Sequence, residues 1–210
     1  MKGILLSEYG KRKKAIRERL LDFSGVWSQP DKRIFSELCF CICTPQSKAV
    51  YCDKAVSSLE RSGKLFTGGE KEIRAGLKAV RFPNNKSRYI VEARKFFSEG
   101  GQVRIKDKID AGDIFGTRDW IVKNVKGLGY KEASHFLRNI GFGKDLAILD
   151  VHILKNMKRY GVIKEIPECI SKKCYFSLEE KIGGFSRRLR IPMAELDLLL
   201  WSMETGVIFK

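Results

Sequence analysis

The chain has 210 residues, 43% of them hydrophobic and 10% aromatic, and carries 41 Lys and Arg against 25 Asp and Glu, a net charge of +16 at pH 7. That length fits one domain or two small ones sharing a core, and the apolar content excludes general disorder. The longest apolar run, Leu38-Cys39-Phe40-Cys41-Ile42-Cys43, is far short of the roughly 18 residues a membrane span requires.

Helical patterns run almost throughout. Ile34, Phe35, Leu38, Cys39, Ile42 and Cys43 form a stripe from Asp31 to Cys43, the spacing of one helix face. Thr44-Pro45 ends it and is expected to open a second helix, with Pro in its first turn, running to about Arg61 where Ser62-Gly63 stops it. Glu70 to Val80 is a third, and Lys86 to Ser98 a fourth that ends at Glu99-Gly100-Gly101. Short β pieces are expected near Val103-Arg104-Ile105. Thr117 is placed as the cap of a helix carrying Trp120, Ile121 and Val125. After a tight turn, Ala133, Phe136, Leu137 and Ile140 share a face and Gly141 closes it. Asp150 caps the next helix, and Ser177-Leu178-Glu179-Glu180 reads as a capping box. Pro192 opens a last helix to about Glu204, closed by Thr205-Gly206. The expected fold class is all-α, with about ten helices.

The N-terminus, Met1-Lys2-Gly3, has only a short apolar patch before Lys11-Arg12-Lys13-Lys14, so no targeting signal is read and a cytoplasmic location is expected. Six cysteines make no framework: Cys39, Cys41 and Cys43 alternate in an apolar segment, Cys52 stands alone, and no CxxC occurs. They are read as reduced and packed, with no metal site. The charge points to nucleic acid, because neutralised phosphates release counterions and supply sequence-independent affinity. A Lys-rich thermophile surface explains many charges but not the imbalance.

The informative stretch is VKGLGYKEASHFLRNIGFGKDLAILDVHI, from Val125 to Ile153. Gly127 and Gly129 flank one apolar residue between two helical patterns, and glycine permits a tight turn and close approach of a ligand. Amides opening the second helix can bind a phosphate, helped by the helix dipole, while Leu128 tucks between the helices. Lys131 is either a solvated lysine near a helix start or, near a positive helix terminus in a basic site, a nucleophilic amine. Asp150, 19 residues later, reads as an N-cap, and a carboxylate can cap with one oxygen while the other faces a reacting sugar. His152 is a phosphate or sugar contact, or a packed histidine.

Val125-Lys126-Gly127-Leu128-Gly129-Tyr130-Lys131-Glu132-Ala133 and Leu149-Asp150-Val151-His152 resemble the helix-hairpin-helix DNA glycosylases. The resemblance makes Lys131 the nucleophile of a bifunctional glycosylase/lyase and Asp150 its assistant. Cys43-Thr44-Pro45-Gln46-Ser47-Lys48-Ala49 looks like the family's early helix junction, where Gln46 would fill the hole left by an extruded base; a helix-start glutamine is the plain alternative. Phe82-Pro83-Asn84-Asn85-Lys86 resembles the loop inserted between bases on the opposite strand, with Phe82 as the wedge; a core phenylalanine is the alternative.

The tail, Leu196 to Lys210, is similar to that of the archaeal type-2 8-oxoguanine DNA glycosylase/lyases. It lacks the four-cysteine cluster of the iron–sulfur members. In that group the terminal lysine, here Lys210, is implicated through its main-chain carboxylate in reading the damaged base. Trp201 could stack on the flipped base or belong to the core. The resemblance implies two helical domains with the hairpin at a cleft between them: residues 31–143, and 1–30 with 144–210. It implies no required cofactor, a structural monovalent cation on hairpin carbonyls, and a monomer acting on double-stranded DNA containing oxidised guanine at the nucleoid. The rival readings are a non-enzymatic DNA-binding module and a same-fold lyase for oxidised pyrimidines or mismatched bases.

Overall fold

Apolar residues at helical spacing wind most of this chain into helices. The computed structural model describes residues 2–210; Met1, where the reading of the N-terminus begins, lies outside them. A long helix α1 (Lys2–Val26) is followed by α2 (Asp31–Cys43), α3 (Ala49–Arg61), the short α4 (Lys64–Thr67) and α5 (Glu70–Gly76), and α6 (Pro83–Phe96). Two short strands, β1 (Ser98–Glu99) and β2 (Gln102–Val103), pair antiparallel. Then come α7 (Ile114–Asn124), α8 (Tyr130–Asn139), α9 (Val151–Arg159), α10 (Lys172–Leu189) and α11 (Met193–Thr205). No helix among the described residues is long and apolar enough to cross a membrane.

The buried side chains gather in two clusters. One holds residues from Val26 to Leu146, centred on α2, which is buried continuously from Ile34 to Cys43. Cys39, Cys41, Cys43 and Cys52 are part of this core, and the Cys52 thiol donates to the Cys43 carbonyl at 3.1 Å. The second cluster joins Leu5, Ile16 and Phe23 of α1 to residues 147–200. Chain ends thus pack together, with α1 lying along α11. Two ion pairs tie α8 and α7 of the first cluster to the second. Arg138 reaches Asp197 at 3.4 Å, and Arg118, almost fully buried, grips Glu179 with both guanidinium ends at 2.6 and 2.8 Å.

Five expected helix boundaries move, one of them the start of α6, which opens at Pro83 rather than Lys86 because proline suits a first helical turn. Pro45 is not in a first turn: α3 begins at Ala49, because Gln46 takes a left-handed conformation (φ 55°) that interrupts the helical backbone. Asp113, not Thr117, caps α7 by accepting from the Gly116 amide at 2.9 Å; Thr117 lies a turn inside and its hydroxyl donates back to the Asp110 carbonyl. Ser177 lies inside α10, whose cap is Ser171, and Glu179 turns to Arg118 instead. Finally, α5 stops at Gly76 rather than Val80, since Leu77 and Val80 turn inward through successive three-residue bonds and are buried.

Candidate active site

The turn between α7 and α8 is built by sequence chemistry. Gly127 has φ 86°, and a Cβ there would sit 2.6 Å from the Tyr89 ring, so only glycine fits. Leu128 is buried between the helices. Gly129 opens α8, and its N–H donates to Glu132 Oε2 at 3.2 Å. Tyr130 packs on Tyr175 and Phe176 and faces the Arg118 guanidinium. The hairpin is thereby pinned to α10.

Beside it opens a cleft of about 1020 Å³. Lys131 lines it from the first turn of α8, three-quarters buried, with Nζ 3.1 Å from Glu132 Oε1. Asp150 lines it from the start of α9. Its Oδ1 accepts from the amides of both His152 (2.9 Å) and Ile153 (2.8 Å). The cap uses a single carboxylate oxygen, and Oδ2 accepts no bond from the described residues.

Gln46, His152, Trp201 and Lys210 line the same cleft. Trp201 is half-buried, packing against the second core cluster while lining the cleft, and the His152 ring stands edge-on to it at 6.4 Å. Lys210 turns its ammonium away to Glu37 (2.9 Å) and Asp53 (2.6 Å), over the Phe40 ring. Phe82, Gly127 and Gly129 are not among the lining residues. Phe82 is half-exposed, not core, and like Gln46 holds a left-handed conformation (φ 58°). Such conformations are costly for a side chain with a Cβ and concentrate at functional loops. The two loops are tied together: the Arg81 amide donates to Ser47 Oγ, and the buried Lys86 ammonium donates to Cys43 and Pro45 carbonyls and to Ser47 Oγ.

Several cleft residues escaped the sequence reading. Glu132 bridges the hairpin amide and Lys131. His135 and Arg138 follow Lys131 on one face of α8, at a spacing of four and three, and this periodicity was the available signal. Asp197 comes from α11 and faces Arg138; burial, reinforced by the charge of Asp150, pushes its carboxyl up to about 7 against the pull of Arg138 and Lys131. Lys86 carried no local signal because its partners are distant, and Glu37, paired locally with Arg33 one turn earlier, also meets Asn139 and Lys210 far along the chain.

The chain matches a family model described as 8-oxoguanine DNA glycosylase over residues 16–191. It is 45% identical over 204 residues to the 8-oxoguanine DNA glycosylase/AP lyase of Fusobacterium nucleatum, covering 96% of this chain and 94% of that one. To the protein of the same name from Korarchaeum cryptofilum it is 41% identical, covering 93% and 90%. A solved structure of the Methanocaldococcus jannaschii 8-oxoguanine glycosylase/lyase, in complex with a 15mer DNA containing 8-oxoguanine, superposes with a TM-score of 0.88 at 31% identity, covering 99% of this chain and all of that one. An all-α helix-hairpin-helix repair glycosylase is the class these matches define. The chain belongs to the 8-oxoguanine DNA glycosylase family, whose members here are bacterial as well as archaeal.

Proposed function

We propose that this chain removes 8-oxoguanine from double-stranded DNA and then cuts the abasic strand as a lyase. The observation that carries this reading is the meeting of Lys131 and Asp150 in one cleft, in a chain whose relatives over nearly their whole length are named glycosylase/AP lyases. Those names also set aside the simple binding module and the oxidised-pyrimidine lyase.

The damaged nucleotide leaves the stack because its anomeric carbon is unreachable within it. Hairpin amides around Gly127 and Gly129 hold the backbone, drawn by the +16 charge. Gln46 fills the vacated position and Phe82 wedges the opposite strand, His152 contacts the sugar-phosphate, and Trp201 stacks on the base. The Lys210 main chain supplies an acceptor for the N7–H that distinguishes 8-oxoguanine from guanine. Lys131 Nζ bonds C1′ as the C1′–N9 bond breaks, the base leaving with the electron pair and gaining a proton. Asp150 Oδ2 stabilises the positive charge on the sugar. Ring opening gives a Schiff base; loss of the acidified C2′ proton then expels the 3′ phosphate by β-elimination.

No cofactor is required for these steps. The hairpin carbonyls of Lys126, Gly127 and Leu128 accept no hydrogen bond from the described residues, which suits a structural monovalent cation. Two domains, residues 31–143 and 1–30 with 144–210, flank the cleft in this reading, supported by the two buried clusters. Acting on chromosomal DNA, the enzyme would work at the nucleoid.

The test is borohydride trapping on duplex DNA bearing one 8-oxoguanine. Wild type should give a covalent complex and Lys131→Gln none. A trap on an abasic duplex alone would reject the substrate, and absence of any trap would reject the lyase.

A further inference from the structure

The chain contains two histidines, and both line the cleft. His135 is the more unusual. It is buried on α8, one turn beyond Lys131, and neither Nδ1 nor Nε2 has a hydrogen-bond partner among the described residues. A buried polar group without a partner costs of order 1–3 kcal/mol and is rare enough to need an explanation.

The surroundings supply one. The imidazole stands edge-on to Phe40 at 5.5 Å, and the Lys210 ammonium lies over that same ring at 4.7 Å. Phe40 is therefore the shared floor of His135 and Lys210. Burial, together with the charges of Arg138, Lys131 and Lys210, drives the imidazole well below its usual titration range, while the neighbouring Lys210 main chain pulls the other way. The ring is neutral, with one N–H to donate and one nitrogen to accept.

The tail beside it needs an anchor. After Thr205, Gly206 takes φ 80° and regular helix ends. Ile208 packs on the second cluster and Phe209 on the first. The Lys210 side chain is tied by Glu37 and Asp53. The main chain of residues 207–210 makes no backbone hydrogen bond among the described residues. The Val207 carbonyl accepts from the Thr205 hydroxyl at 3.3 Å, whereas the carbonyls of residues 208–210 accept no backbone hydrogen bond among the described residues and are free to turn.

We propose that His135 is a positioning residue whose imidazole N–H anchors the Lys210 main chain, so that the acceptor facing the extruded base is held in one orientation. This rests on the reading of Lys210 as the base-recognising residue. Glu37 and Asp53 hold the far end of the same residue, and His135 holds the near end. An apolar isostere in place of His135 frees the near end while leaving the Phe40 contact.

The experiment compares single-turnover excision of 8-oxoguanine with lyase activity on a preformed abasic site. The variants are His135→Phe, His135→Asn, His135→Gln, the chain lacking Lys210, and the double variant. His135→Phe should lower the ratio of excision to lyase activity roughly tenfold, the worth of one ordering hydrogen bond. Asn or Gln should restore it, the one that does so identifying the nitrogen used. In the chain lacking Lys210, His135→Phe should add no further loss, since the two act through one interaction. An unchanged ratio in His135→Phe, equal losses in both activities, or failure of both Asn and Gln to rescue would overturn the proposal while leaving Lys210 in place. Full excision by the chain lacking Lys210 would instead sink the reading of Lys210, and this proposal with it.

Discussion

On the hairpin side of the cleft, the key side chains are held by bonds to near neighbours in sequence. Asp150 is fixed by amides two and three residues ahead, and Lys131 pairs with the adjacent Glu132, which also accepts from Gly129. On the tail side the reverse holds. Lys210 is tied to Glu37 across 173 residues, and Arg138 to Asp197 across 59. The two walls of one cleft therefore differ in kind. Lys131 and Asp150 sit on self-contained local motifs, whereas the wall built around Lys210 exists only when the whole chain is folded.

The largest effect should come from uncoupling the hairpin from the second cluster. Arg118→Met leaves Glu179 with the Ala147 amide as its remaining partner. Breaking a buried pair by removing one member costs roughly 4 kcal/mol, to be read from urea denaturation. A loss under 1 kcal/mol would mean the hairpin stands without that tie. Next is Asp150→Asn, which sharpens the contrast because asparagine caps a helix about as well as aspartate. Melting temperature should hold while excision falls on the order of 100-fold, the scale of a lost electrostatic contact in a transition state. Parallel losses in both would reduce Asp150 to a cap.

The smallest effect is on pH dependence, and it probes the tail side. The folded pKa of His135 lies well below its ordinary 6.5, so below pH 6.5 the unfolded chain binds a proton that the folded chain refuses. Stability then falls with acidification, by about 1.4 kcal/mol per pH unit from this group. His135→Phe should remove that slope between pH 6.5 and 5. Matching profiles for the two proteins would show that the imidazole is protonated in the folded state.

Legibility in the sequence follows the same division. Asp31–Cys43 and the ends of α11 were readable because an apolar stripe, a proline and a glycine act over three or four residues. The expected caps Thr117 and Ser177 failed because capping residues also occur inside helices, and Asp113 and Ser171 sit one or two turns earlier with equal chemistry. The long α1 carried little signal, since only Leu5, Ile16, Phe23 and Val26 of its 25 residues are buried. Lys86 is an ordinary lysine in sequence, yet its buried ammonium holds the Gln46 loop.

By itself, then, the sequence determined an all-α chain with a basic charge, a glycine hairpin and the Lys131–Asp150 spacing, because periodicity, backbone freedom and capping are properties of short segments. The tertiary structure alone decided that Trp201 borders a cleft, that Phe82 is exposed, and that His135 is neutral and unpartnered beside Lys210. Desolvation and ion pairing depend on which distant residues the folded core brings within a few ångströms, and no local pattern encodes that.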